Sequence, residues 1–403
     1  MLDTFRVLKQ PNVLKLFLSF IITYTGTAMA PIAMAFGVLD ITGSAKDTSI
    51  VMAAATLATV IVVLIGGAVA DRTSRKKVMQ ISEFSSAVLQ AIIAALFSLH
   101  QVTVPLLAVL MFMNGVALAF NAPAAAGLIP SLVESKDLQT VNALLGMAKN
   151  SAMIVGAALA GILVSFYGAG MTVLIDAITF LLSAFLITSL HPSQQNRLSS
   201  HSIIQELKEG WHEFISHTWL WTIVLQFGFV LAAYQSILVL VGPAVANDYY
   251  DGAKAWGWIM SAVSIGLLLG GIIGMRLKPR YPLRFATFCV FTGALIPFGI
   301  GLLLPLPIIL FLAVINGCGW EVFIILWVSL LQKKITPEAL SRVTAYDYLG
   351  SIGLAPLGII GAGYCYERFG YLVVSMTAAL MIVVATVLVL FVNDVWNNPA
   401  EKT

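Results

Sequence analysis

The twelve residues GGAVADRTSRKK, Gly66 to Lys77, pass from a greasy helix end to a cationic loop within a few positions. Upstream lies an apolar run over 48–70, and downstream another over 78–99. An α-helix needs about 20 mostly apolar residues to cross the hydrocarbon core of a bilayer. The switch therefore reads as a tight loop between two membrane crossings. Working outward, runs of the same kind recur at 13–38, 104–127, 140–166, 171–190, 218–243, 255–275, 285–304, 307–331, 343–365 and 371–392. Of the 403 residues 59% are apolar and 10% charged, where a soluble domain carries roughly 25% charged residues. The pattern predicts an all-α membrane protein of twelve transmembrane helices.

The cations set the orientation, because short cytoplasmic loops collect Lys and Arg. With the N-terminus inside, 18 of the 22 Lys and Arg fall on the cytoplasmic side: Arg6, Lys9, Lys15, Arg72, Arg75, Lys76, Lys77, Lys136, Arg197, Lys208, Arg276, Lys278, Arg280, Arg284, Lys333, Lys334, Arg342 and Lys402. Only Lys46, Lys254 and Arg368 fall outside, and Lys149 lies within a helix. Both termini are expected in the cytoplasm, and the chain in the cell inner membrane. The run from Val13 to Val38 is too long for the apolar part of a signal peptide and reads as the first crossing.

Other classes are excluded by what surrounds the reactive side chains. Cys289, Cys318 and Cys365 sit singly in apolar stretches, with no CxxC and no paired framework. The five histidines fall in loops or at helix ends. No metal site, cofactor or nucleic-acid partner is expected; the net charge of +3 is too small for the last. There is no GxxxxGK[ST] motif for an ATP-driven pump and no Ser-His-Asp arrangement, so no enzyme is expected. The expected partners are a small-molecule substrate, protons and the lipid bilayer, with the chain as a monomer.

An internal repeat divides the sequence. At an offset of 202, Val141 matches Val343, Ala143 matches Ala345, and Gly156, Gly161 and Gly168 match Gly358, Gly363 and Gly370. Glycines at fixed spacing suit close helix contact. Gly66-Gly67 is echoed more weakly by Gly270-Gly271, each pair leading into a basic loop. Two pseudo-symmetric six-helix bundles follow, over 1–190 and 218–403. The linker 191–217 carries Ile203, Leu207, Trp211 and Phe214 at helical spacing, as in an amphipathic helix lying at the cytoplasmic interface with its apolar side in lipid.

Gly66 to Lys77 resembles the signature loop of the major facilitator superfamily, where a Gly-x-x-x-Asp-Arg-x-x-Arg-Lys pattern is typical. That resemblance implies the two-bundle major facilitator fold, and a cytoplasmic gate in which Asp71 meets the start of the eleventh helix while Arg72 and Arg75 support it. A carboxylate at a helix N-terminus is favoured by about 0.3–1 kcal/mol. Leu39–Ser44, Asn121–Ala125, Leu128–Val133, Asn142–Leu144, Leu340–Val343 and Pro356–Gly358 are similar to the bacterial exporter branch that includes the enterobactin exporter and macrolide efflux proteins. The likeness covers nearly the whole chain and implies proton-driven export of amphipathic small molecules. Two positions depart from the drug/proton antiporter pattern. Gly156–Gly161 reads GAALAG in place of Gly-Pro-x-x-Gly-Gly, and Met111 stands where relatives carry Arg.

Ionisable residues inside membrane helices mark function by default, because each costs about 2.5–3.5 kcal/mol at a helix centre. Glu83, Lys149, Asp176, Glu321 and Asp347 qualify. Glu321 falls about 21 Å from the outer end of helix ten, near the midplane. It is the first choice for a coupling proton or for holding a cationic substrate; a core Glu is the other reading. Lys149 lies about 14 Å into helix five, where it can pair with a carboxylate or meet an anionic substrate. Asp347 is grouped with these two for proton coupling, although it and Glu83, only one or two turns from the cytoplasmic end, also suit snorkelling or a gate. Asp176 is read as structural. Polar and aromatic stripes nominate cavity residues: Tyr24 and Thr27; Met111, Asn114 and Asn121; Gln226 rather than Gln235; Asn316 and Trp320. Such mixed walls suit bulky amphipathic ligands. The expectation is a secondary active, proton-coupled exporter of amphipathic small molecules (drugs, macrolides or siderophores) working by alternating access. An uptake porter for a nutrient is the alternative, and a non-transport membrane protein the third reading.

Overall fold

In a bilayer every backbone amide must find its partner within the chain, so crossings are helices. The computed structural model describes residues 4–134, 137–192 and 203–397, and among them every regular element is helical. Among the described residues, ten stretches are long and apolar enough to cross a membrane. Two of them, Thr140–Thr188 and Arg342–Leu390, are 49 residues long. Each doubles back at a glycine, at Gly168 (φ 78°, ψ 173°) and Gly370 (φ 79°, ψ 173°). The crossings therefore number twelve, as the apolar runs predict.

The first six are α1 (Pro11–Thr42), α2 (Ala45–Arg72), α3 (Arg75–Ser98), α4 (Val104–Leu128), α5 (138–167) and α6 (169–188). The second six are α7 (Thr218–Tyr249), α8 (Gly252–Gly274), α9 (Pro282–Gly301), α10 (Leu306–Lys334), α11 (337–369) and α12 (371–390). A π-helical turn, Ile237–Val241, interrupts α7, a 3-10 turn, Phe291–Ala294, interrupts α9, and a turn at 353–354 divides α11 into Pro337–Ile352 and a stretch from Ala355.

The chain forms two compact units. One holds Met1–Gly43, Ala54–Ser200 and Gly252–Gly257; the other holds Ser44–Ala53, His201–Asp251 and Trp258–Thr403. Relative to a division at 1–190, 191–217 and 218–403, the linker helix falls in the second unit, and the first turns of α2 and α8 are exchanged.

The repeated glycines do two different jobs. In the first unit a Cβ at Gly156 of α5 would overlap the Thr25 carbonyl of α1, and one at Gly115 of α4 would overlap the Ala55 carbonyl of α2. In the second unit a Cβ at Gly358 of α11 would overlap the Ala232 carbonyl of α7, and one at Gly317 of α10 the Val263 carbonyl of α8. These are close backbone contacts of the kind small residues permit. The Gly115/Gly317 pair has the same 202-residue offset and was not read from sequence. Gly168 and Gly370 have open space around them. They are glycines because their dihedrals lie in a region essentially reserved for glycine, not because of contact.

The linker helix, Ile203–Ser216, sets one part of its apolar side on protein, while Trp211 stays 49% exposed. Phe214 is buried, stacked on Trp211 at 5.7 Å and set against Tyr346 of α11 at 5.9 Å. Gly210 packs on the Arg342 stem. An aromatic face can dock on protein as readily as on lipid, and Tyr346 supplies the surface. The side chains of Ile203 and Leu207 lie outside the described residues.

Candidate functional site

The first unit carries its polar chemistry between α1, α3, α4 and α6. Glu83 of α3 is 2% exposed. Its Oε2 accepts a hydrogen bond from Thr23 Oγ1 of α1 at 2.6 Å, and its Oε1 accepts one from Asn121 Nδ2 of α4 at 2.8 Å. Ser183 of α6 reaches the same carboxyl and also pairs with Ser19 of α1 at 2.8 Å. Glu83 is thus enclosed rather than snorkelling. Asp176 of α6 is fully buried. Gln90 Nε2 of α3 donates to it at 2.8 Å, and the carboxyl lies where a side chain on Gly26 of α1 would stand. No described cation pairs with either acid. An uncompensated buried carboxylate costs on the order of several kcal/mol. The sequence carried the signal for this cluster in two matched spacings, Glu83-Ser86-Gln90 and Asp176-Thr179-Ser183, each placing three polar side chains on one helical face.

Beside it, Lys149 of α5 is exposed and holds its ammonium 5.1 Å from the centre of the Tyr24 ring. Tyr24 and Thr27 are half-buried, and Met111 and Asn114 are buried. Asn114 Oδ1 has no hydrogen-bond partner. The structure joins Asn121, a cavity candidate by its helical stripe, to Glu83, which lies on a different helix.

The gate residues divide. The side chains of Asp71 and Arg72 lie outside the described residues. Arg75 Nη1 donates to the Gly127 carbonyl at the end of α4 at 2.6 Å, and Gly127 lacks the Cβ that would block the guanidinium. Lys76 and Lys15 likewise donate to Leu190 O and Ser189 O after α6, at 2.8 and 2.9 Å. Cations at helix C-termini complement the exposed carbonyls, so the basic loop also closes helix ends.

In the second unit, Asn316 of α10 is completely buried. It accepts from Tyr234 Oη of α7 at 2.5 Å and donates to Thr292 O at 3.0 Å. Trp320 stacks on Tyr234 at 4.8 Å and leads an aromatic ladder through Phe227, Phe323 and Trp327 to Trp219. Trp327 Nε1 donates to Asp347 Oδ2 of α11 at 2.9 Å. Glu321 is half-buried on another face of α10, its stem against Gly270 of α8. Gln226 is buried and donates to Thr386 of α12 at 3.1 Å. The structure thus joins Asn316 to Trp320 through Tyr234, and ties Asp347 to the same ladder. Between α7, α11 and α12 lies an apolar cavity of about 330 Å³ lined by Ala232, Ser236, Ala362, Phe369, Ala378 and Met381.

Twelve crossings around such interiors define a multi-pass membrane protein of the transporter class. The family model "Major Facilitator Superfamily" matches residues 16–351, and the chain belongs to that superfamily. It is 27% identical over 380 residues to the "Multidrug efflux pump Tap" of Mycolicibacterium fortuitum, covering 90% of this chain and 92% of that one. It is 24% identical over 382 residues to "Macrolide efflux protein A" of Streptococcus pyogenes, covering 92% and 93%. The crystal structure of the nucleoside transporter NupG shares the fold, with a TM-score of 0.73 at 14% identity over 94% of this chain and 98% of that one.

Proposed function

We propose that the chain is a secondary active, proton-coupled exporter of amphipathic small molecules, such as drugs or macrolides, working by alternating access from the inner membrane as a monomer with both termini cytoplasmic. The observation that carries this reading is Lys149. An ammonium exposed deep in a membrane helix is too costly to face lipid, so the α1/α5 face beside Tyr24 borders a wet path. The end-to-end likeness to efflux proteins supports the direction of transport. Glu321, with Gly270 leaving room at its stem, is the first coupling residue, and Asp347 and Lys149 are the further proton-coupling candidates, each within its own unit. Tyr24, Thr27, Met111, Asn114, Asn121, Gln226, Asn316 and Trp320 shape the substrate path, and Asp71, Arg72 and Arg75 the cytoplasmic gate.

The test is transport in proteoliposomes under an imposed pH gradient, with hydrophobic cations and macrolides as substrates. Glu321→Gln is expected to abolish gradient-driven movement while the protein remains folded. Full activity in that variant removes Glu321 from the mechanism.

A further inference from the structure

The polar seam of the first unit extends along α3 beyond Glu83. Glu83, Ser86 and Gln90 recur on one face of α3, and Gln90 links that face to Asp176 of α6. Ser86 is fully buried and Gln90 is 1% exposed. Ser86 Oγ and Gln90 Oε1 nevertheless have no hydrogen-bond partner. Buried oxygens of this kind are ordinarily satisfied by protein or by ordered water. Two enclosed carboxylates lie at either end of them, within electrostatic reach of each other.

We propose that this seam is a proton-binding site, in which Glu83 and Asp176 hold exchangeable protons and water bonded to Ser86 and Gln90 connects them. The partner geometry fits both charge states of Glu83. Thr23 Oγ1 donates to the carboxylate; a hydroxyl can equally accept from the protonated acid. Asn121 donates in either state. An ion pair with Lys or Arg would instead fix the charged form. The binding step is simple: a proton from water adds to a carboxylate oxygen, one negative charge is lost, and no other bond breaks. The remaining titratable groups facing Glu83 are Tyr24 of α1 and Asp176 of α6, with Lys149 of α5 beyond the Tyr24 ring. The inference rests on the proton-coupled reading only for its consequence, that the first unit stores protons separately from Glu321.

Infrared difference spectra of the full chain in lipid nanodiscs, between mildly alkaline and mildly acidic buffer, test it. The wild type is expected to gain protonated-carboxyl absorbance. Glu83→Gln and Asp176→Asn are each expected to lose part of that gain, and the double variant both parts. Thr23→Val removes a polar partner but retains both acids, and is expected to keep the gain of protonated-carboxyl absorbance. Spectra of the double variant equal to wild type, or loss of the whole gain in Thr23→Val, overturn the proposal. So does a titration that vanishes when choline replaces sodium, which would make the seam a metal-cation site. Failure of pH-driven transport with the seam titration intact would count against the exporter mechanism and leave the seam standing.

Discussion

The interior between α1, α3 and α6 differs from that between α7, α11 and α12, although the two halves share one glycine frame. Each has a close helix contact at Gly156 or Gly358, another at Gly115 or Gly317, and a reversal at Gly168 or Gly370. Counted eight residues on from the reversal, α6 presents Asp176 and α12 presents Ala378. The first is held by Gln90; the second lines an apolar cavity. Backbone proximity is thus repeated while side-chain chemistry is not. Close packing constrains residue size, which leaves polarity free to diverge wherever a polar group finds a partner.

The sharpest way to break this comparison is to move the charge. Ala378→Asp places a carboxylate in the apolar cavity without a Gln90 equivalent, and is expected to cost about 2.5–3.5 kcal/mol, measured by unfolding of the purified chain in bicelles. Stability equal to wild type would mean that the cavity is wet. Gly115→Ala and Gly317→Ala overlap neighbouring carbonyls, and each is expected to cost about 1–3 kcal/mol. A large cost at one and none at the other would show that the frame is not shared. Gly168→Ala and Gly370→Ala have room for the methyl group but not the dihedrals; equal losses, again about 1–3 kcal/mol, are expected from the same melts. Arg75→Ala, which leaves the end of α4 uncapped, is expected to cost only about 0.3–1 kcal/mol at low salt, and less as salt rises. A salt-independent loss would give Arg75 another role.

The fold was legible because lipid imposes it: apolar runs of spanning length, and cations sorted to one side, suffice to place the crossings. The repeat was legible in Gly156, Gly161 and Gly168, though the reason for Gly168 was not, since a dihedral demand leaves no mark beyond the residue type. The candidate site was less so. Glu83 lies near a helix end by counting, and depth along one helix says nothing about what neighbouring helices cover. Thr23 and Asn121 had to be brought to it by packing. The partner of Asp176 is hidden for the same reason: Gln90 is 86 residues away. The linker helix showed its apolar stripe, but a stripe does not name the surface it meets, and Tyr346 became known only from the fold.

The reversals at Gly168 and Gly370 have a mechanical consequence. A connector one residue long stores little slack, so a displacement at the joined end of α5 must be taken up by rotation at Gly168 or by movement of α6, and the same holds for α11 and α12 at Gly370.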